Sequence, residues 1–427
     1  MSAAFEAYTR AVLSFRLGAG SGGYATAPAG PQALEPVLRR ARGALCCALL
    51  GVGSGAFARD LARALPEGTQ FVVLETDPDQ TLAHGSGLPL LADASPVALA
   101  WMLLTCGLTR PGTFLVLNPE IADEGARERL RTVQRLHAAF EPLDLPDLPQ
   151  ASTPPSRAVV GGRSLPGPDA PGEGSRQGAS QDAPGRDPAG GRGLRRAPAP
   201  LTLAAILHPD EPDLADFFSA LPSCADRAVF LWDAQAAPGS PPPCPVPALH
   251  LAHPLQDDFA AQRNRLLEAC GPGWTLSLDA DERLTPGLTA LLPALTAQGT
   301  CRSFAFERRT LCPQGVRVGW GLWPDLQVRL FVNGPGVRYV RPVHERLEGL
   351  DGPTGLVLGA GIRHLSGLLK DEALLAAKHA LFDRAGGRGA LHRLNREYPA
   401  LPEAYFAALR EGPAAGLWPG RVAFAPL

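Results

Sequence analysis

Trp274-Thr275-Leu276-Ser277-Leu278-Asp279-Ala280-Asp281-Glu282 is the stretch on which the fold turns. Residues 274–278 form an apolar run of strand length, and it passes directly into a cluster with three acids. In open α/β sheets ligands collect beyond the carboxyl ends of strands, so the cluster is expected at such an end. Side chains two apart along an extended stretch face the same way. Asp279 and Asp281 are therefore expected to converge on one divalent cation, Mg²⁺ or Mn²⁺. Such an ion bridges a diphosphate and neutralises the charge that builds up as it leaves. A solvated turn or a helix N-cap is the plainer alternative, although Thr285-Pro286 already offers the cap and first position of the next helix.

Outward from this point, strand-like and helix-like runs alternate. Residues 201–207 and 228–232 read as strands, the second ending at Asp233, with an amphipathic helix between them over 213–221. A helix over 257–270 precedes the central strand, and further strands are expected at 302–308, 327–331 and 356–362. From Lys370 the tail reads as mainly helical, with Leu374, Lys378 and Leu381 in one tract. Upstream, residues 151–200 hold ten glycines, nine prolines and no aromatic residue. Such a stretch cannot bury enough apolar surface to offset its ordering entropy, so it reads as a flexible linker. The first segment alternates too. Residues 44–50 lead into Gly51-Val52-Gly53-Ser54-Gly55, then Phe57, Leu61 and Leu65 fall at helical spacing. A second strand over 70–74 ends in Glu75, and a third covers 113–117. Strand, glycine turn, helix, strand, acid is the order of a Rossmann-like unit.

Forty basic against forty-two acidic side chains leave a formal charge of −2, which argues against a general nucleic-acid binder. Apolar residues at 45% exclude wholesale disorder. Eight cysteines without a CxxC pair suit a reducing compartment better than disulfide staples or zinc. No apolar run reaches the ~18 residues of a membrane helix, and the opening MSAAFEAYTRAVLSFR lacks a basic head followed by an apolar core. A cytoplasmic location is expected. Lysine occurs only at Lys370 and Lys378, a bias read as that of a GC-rich genome.

Around the acidic cluster, chemistry-bearing residues recur in a set order. Gln262-Arg263-Asn264 comes first, and Gly319-Trp320-Gly321-Leu322-Trp323-Pro324-Asp325 follows it. Then come Gln327-Val328-Arg329-Leu330-Phe331, Arg341-Pro342-Val343-His344-Glu345 and Ile362-Arg363-His364. Over roughly residues 200–385 this order resembles the family-2 glycosyltransferases of the GT-A fold, nearest the branch associated with lipopolysaccharide-core sugar transfer. The resemblance implies an inverting, metal-dependent hexosyl or heptosyl transferase of bacterial surface-glycan synthesis. It would move a sugar from a nucleotide-sugar donor to a glycan, a lipid-linked or a protein acceptor. By the same resemblance, Asp279 and Asp281 match the metal and diphosphate motif, and Asp233 matches the acid that contacts the nucleotide base or ribose. Arg263 and Asn264 match the pair near the donor pocket, and Glu345 matches the catalytic carboxylate. His344 or His364 would complete the metal site or face the phosphates. A structural ion pair of Glu345 with Arg341 or Arg346 is the plain alternative. Trp320 and Trp323 would floor the acceptor pocket or sit in the core. Two loops depart from the family pattern, at residues 208–211, where Asn-Glu is usual, and at 234–237, where a Ser/Asp-rich turn is usual. Donor affinity or identity is expected to be altered accordingly.

The expected fold class is thus α/β, with a Rossmann-like domain over 1–145, a Pro/Gly-rich linker over 146–200, a GT-A domain over 201–385 and a helical tail over 386–427. The glycine turn resembles the cofactor loop of Rossmann-like methyltransferases, with Gly51, Gly53, Gly55 and Glu75 as contacts to S-adenosylmethionine and Asp93 bordering the adenine. Leu49 stands where such enzymes usually carry an acid, and Asn118-Pro119-Glu120 matches a catalytic motif only loosely. Two other functions stay open: a methyltransferase acting through the first segment, and a non-catalytic scaffold for a glycosylation complex. Peripheral contact with the inner membrane also stays open, since neither a basic patch nor an amphipathic anchor stands out.

Overall fold

A computed structural model describes residues 2–15, 20–146, 199–342, 345–370, 398–409 and 412–418. The expected linker, His344 and the helical tract around Lys378 lie outside the described residues.

Helices α1 (Ser2–Leu13) and α2 (Leu34–Ala41) precede β1 (Cys46–Leu50). After β1 come α3 (Ala56–Ala64), β2 (Gln70–Glu75), α4 (Pro78–His84), β3 (Leu90–Ala92), α5 (Pro96–Thr105), β4 (Thr113–Leu117) and α6 (Glu124–Ala139). The four strands pair in parallel in the order β3-β2-β1-β4. All five residues of β1 are buried because both faces of the sheet are covered. Cys47 and Leu49 pack with Phe57 and Leu61 of α3, while Cys46, Ala48 and Leu50 join the cluster on the opposite face. Helix α5 is apolar on every side and accordingly buried on every side. Its Trp101 lies against Trp323, ring centroids 4.8 Å apart, and Tyr8 and Phe406 pack on the same indole. One hydrophobic core therefore joins residues from both sides of the 147–198 stretch, and the two segments belong to a single compact unit.

The second sheet grows from β5 (Glu141–Pro142), β6 (Leu201–Leu207), β7 (Arg227–Trp232), β8 (Ala248–Ala252) and β9 (Gly273–Asp279). It continues with β10 (Glu282–Leu284), β11 (Ser303–Cys312), β12 (Gly315–Arg317) and β13 (Asp325–Asn333). Strands β14 (Arg338–Val340) and β15 (Arg346–Glu348) form a separate ribbon. Strands β16 (Thr354–His364), β17 (Ala400–Leu401) and β18 (Ala415–Trp418) complete the set. The helices here are α7 (Leu214–Ser219), α8 (Phe259–Cys270), α9 (Pro286–Ala297), α10 (Ser366–Leu369) and α11 (Glu403–Ala407). The strand order is β5-β18-β16-β11-β13-β9-β6-β7-β8, with β6, β7, β8 and β9 parallel and β13 antiparallel to both of its neighbours. The molecule is α/β, as expected. The segment expected to be a helical tail carries, among the described residues, one short helix between two strands. Gly416 in β18 lies so close to the Phe140 ring that a Cβ there would clash at 2.2 Å, which suits a packed sheet edge rather than a helix. Among the described residues no helix is long and apolar enough to cross a membrane.

Each sheet has a point where the chain, having built strands to one side of its first strand, returns on the other side. These points lie between β1 and β4 and between β6 and β9, and crevices at such carboxyl ends are where α/β sheets take ligands.

Candidate functional site

At the second switch point β9 delivers Asp279, β7 delivers Asp233, and the loop after β6 delivers Glu211. Arginines from neighbouring elements converge on the acids. Arg263, on α8, donates through Nη2 to Asp279 Oδ1 (2.9 Å) and through Nε to Glu345 Oε1 (2.7 Å). Its guanidinium also lies over the Tyr339 ring, 5.4 Å from the centroid. Arg329, on β13, donates to Asp279 Oδ2 (2.5 Å) and Glu282 Oε1 (2.7 Å). Arg308, on β11, reaches Asp325 (2.8 Å) and Glu282 Oε1 (3.3 Å). Burial alone would raise the Asp279 carboxyl, but Arg329 and Arg263 outweigh it and hold that carboxyl well below the usual range. At Glu282 the balance tips the other way: burial, reinforced by Asp279, lifts its pKa against the pull of Arg329.

A second group surrounds Asp281, whose side chain is 5% exposed. Lys370 Nζ lies 3.1 Å from Asp281 Oδ2 and 3.3 Å from Glu211 Oε1. His364 Nε2, at the end of β16, stands 3.7 Å from Asp281 Oδ1. Burial opposes the lysine's charge, yet Asp281 and Glu211 prevail and raise its pKa.

The sequence pairs Asp279 with Asp281 on one metal ion; the structure separates their roles. Both Asp279 oxygens accept from guanidinium groups, so a metal ion there would compete with Arg263 and Arg329. Asp281 and His364 are the expected ligands that the structure brings together, with His364 Nε2 3.7 Å from Asp281 Oδ1. Among the described residues the two groups hold six carboxylates and four fixed cations, besides His364. Mg²⁺ typically takes one or two carboxylates and completes its shell with substrate phosphates and water. Among the described residues no group of three or more His, Cys, Asp or Glu is placed to hold a metal.

The remaining expected residues divide in the same way. Asp233 accepts from the Leu255 N–H through Oδ1 (2.6 Å) and leaves Oδ2 without a hydrogen bond among the described residues. Glu345 pairs with Arg263 rather than with Arg341 or Arg346, which brings it to the same guanidinium as Asp279. Asn264 is spent on structure: its amide clasps both the N–H and C=O of Tyr339 (2.7 and 2.9 Å) and so fixes β14. Trp323 is fully buried and donates to Glu307, which makes it core and not an acceptor floor.

At the first switch point the glycine turn forms as expected, with positive φ at Gly51, Gly53 and Gly55. Its ligand-facing groups are filled from within. Glu75 is fully buried and accepts from Tyr24 Oη (2.6 Å) and from the N–H groups of Val52, Thr76 and Asp77 (2.8, 2.8 and 2.9 Å). A carboxylate offers about four acceptor sites, so none is left for a ribose. Glu120 lies over Gly53 and takes the Ser54 N–H and hydroxyl (3.0 and 2.7 Å) and the Phe57 N–H (3.2 Å). A Cβ on Gly53 would meet it at 2.5 Å, so this glycine makes room for a side chain of its own protein. Asp93 is buried on Tyr8 Oη and the Ser95 N–H. The turn as built does not fit S-adenosylmethionine.

Sequence reasoning gave no individual role to Arg308, Arg329 or Lys370, and it placed Glu282 only within the acidic cluster and Glu120 only in a loose motif match. An arginine in the apolar run Gln327-Val328-Arg329-Leu330-Phe331 was a usable signal, because a charge inside a strand demands a partner. No family model matches the chain, and no curated protein matches it.

Proposed function

We propose that the chain is an inverting, divalent-ion-dependent glycosyltransferase. It moves a sugar from a nucleotide-sugar donor to a glycan, a lipid-linked or a protein acceptor, in the cytoplasm, and belongs to the family-2 type that its motif order resembles. One observation carries the reading. Arg263 ties Asp279, at the carboxyl end of β9, to Glu345, from a motif 66 residues later, at the sheet end where such folds take ligands.

In this reading Asp233 Oδ2 accepts a hydrogen bond from the donor's base or ribose. Asp281 and His364 would hold the ion, which supplies positive charge to a leaving diphosphate. Glu345 takes the proton of the acceptor hydroxyl as the new bond forms, and Arg263 fixes the direction of its carboxylate. Asp279 acts as an anchor that keeps Arg263 and Arg329 in place.

A thermal-shift screen of UDP-, GDP-, ADP- and CMP-sugars with Mn²⁺ tests this directly. One of them raises the melting temperature, and Asp281→Asn lowers donor hydrolysis and transfer by ~1000-fold or more while the fold persists. If no nucleotide sugar binds under any condition, the scaffold reading replaces this one. The methyltransferase reading gains no support from a glycine turn already filled by Glu75 and Glu120.

A further inference from the structure

We propose that Lys370 is a diphosphate-binding residue of this site, resting on Asp281 and Glu211 until the donor arrives and then turning onto its phosphate oxygens. The inference rests on the glycosyltransferase reading and adds to it a residue that the motif order does not contain.

Lysine is nearly excluded from this chain, with two lysines among forty basic residues. Among the described residues every other fixed cation of the site is an arginine, the planar fork that suits bidentate pairing with carboxylates. Lys370 alone offers a compact charge on a flexible stem, with three donors that rotate freely. It follows α10, the short helix that comes after His364 at the end of β16, and it reaches the loop after β6 through Glu211. Its side chain is only 10% exposed. The ammonium thus sits at the carboxyl end of the sheet beside Asp281 and His364, the pair that would hold the ion.

Competition for Asp281 then drives the exchange. A divalent ion on Asp281 and an ammonium about 3 Å from the same carboxylate repel each other strongly in a partly buried setting. When the ion enters, the lysine loses part of its hold, and a buried ammonium without a partner is costly. The anion that comes with the ion is the diphosphate. Glu211 retains the lysine at the crevice in the meantime. Lys370 bridges two carboxylates as Arg263 and Arg329 do, but its donors rotate about a single nitrogen and are not set in a planar fork.

The test uses the whole chain and two readouts. Mn²⁺ binding without nucleotide is followed by electron paramagnetic resonance, and binding of UDP and GDP with Mn²⁺ by calorimetry. Lys370→Met should bind Mn²⁺ alone more tightly than the parent. It should bind the nucleoside diphosphate about 10-fold more weakly, the scale of one charge-assisted hydrogen bond. Glu211→Gln, which removes the lysine's rival anion, should bind the nucleoside diphosphate about twofold more tightly. Nucleoside diphosphate affinity in Lys370→Met within about twofold of the parent overturns the proposal and leaves the enzyme reading standing. Unchanged or weaker binding by Glu211→Gln also counts against it. If the parent binds neither nucleotide, the glycosyltransferase reading fails and this inference fails with it.

Discussion

The two sheets reach the same topological situation and treat it in opposite ways. Between β1 and β4 the chain's own carboxylates, Glu75 and Glu120, are held mainly by backbone N–H groups, which cannot turn away without unmaking the loop. Between β6 and β9 the acids are held by arginine and lysine side chains, which can change partners by rotating. An acid whose acceptor sites are all taken by backbone has none left for a ligand, whereas an acid held by side chains can exchange them for one. Chemistry is therefore assigned to the second sheet, and the first is read as a wall that shares its core.

The largest effect expected from this contrast is on Glu345. Glu345→Gln keeps the size of the side chain and removes the base, so transfer should fall by ~100-fold or more. Nucleoside diphosphate affinity should stay near the parent's, as calorimetry would reveal. Equal losses in rate and affinity would show Glu345 to be part of the donor site and would refute its role as base.

Next in size is Arg329→Met, which leaves Asp279 and Glu282 short of a cation. Removing one partner from a buried ion pair typically costs about 3–5 kcal/mol. Because Arg263 and Arg308 remain, the lower end is expected, read by denaturant unfolding of the full chain. Donor affinity should fall with it. At the first switch point, Glu120→Gln should cost about 2 kcal/mol through weaker acceptance from Ser54 and Phe57. Nucleotide-sugar binding and transfer should be untouched. A donor that binds the parent but not Glu120→Gln, with the fold retained, would place function in both sheets and dissolve the contrast.

How much of this was legible in the sequence follows from what each residue's partners are. Strands 201–207 and 113–117 are read to the residue, because an apolar run bounded by polar turns depends only on its own pattern. The helix expected over 257–270 starts at Phe259 in the structure, since Asp258 serves as its N-cap with its side chain on the Ala261 N–H. Short edge strands such as β8 and β18 escaped, because their pairing is set by distant segments. At the site, the convergence of Asp279 and Glu345 followed from the motif order, but the parting of Asp279 from Asp281 did not. That parting is decided by which cations arrive, Arg263 and Arg329 for one and Lys370 for the other, and neither set is adjacent in the chain. The filled glycine turn was hidden for the same reason, since Tyr24 and Glu120 come from far along the chain.

The smallest effect concerns Asp93, which lies on the shared core and outside both crevices. Its carboxyl is fully buried against Tyr8 with no cation beside it, and burial pushes its pKa up to about 7, opposed by hydrogen bonds from Tyr8, Ser95 and the Trp320 backbone. In the unfolded chain the same group titrates near 4. The folded state therefore binds this proton more tightly. Its contribution is fully present below about pH 4 and declines as the pH rises toward and through 7. Between pH 5.5 and pH 8 the single group accounts for about 2 kcal/mol, or a fall in melting temperature of roughly 2–3 °C for a unit of this size. Asp93→Asn, which stays neutral throughout, should flatten that slope. The Arg-paired acids at the second switch point act in the opposite sense. Asp279, held far below the usual range, contributes stability above about pH 4 that is lost only in acid. A melting curve that rises between pH 5.5 and pH 8 in the parent, or that keeps its slope in Asp93→Asn, would mean that another group governs the neutral range.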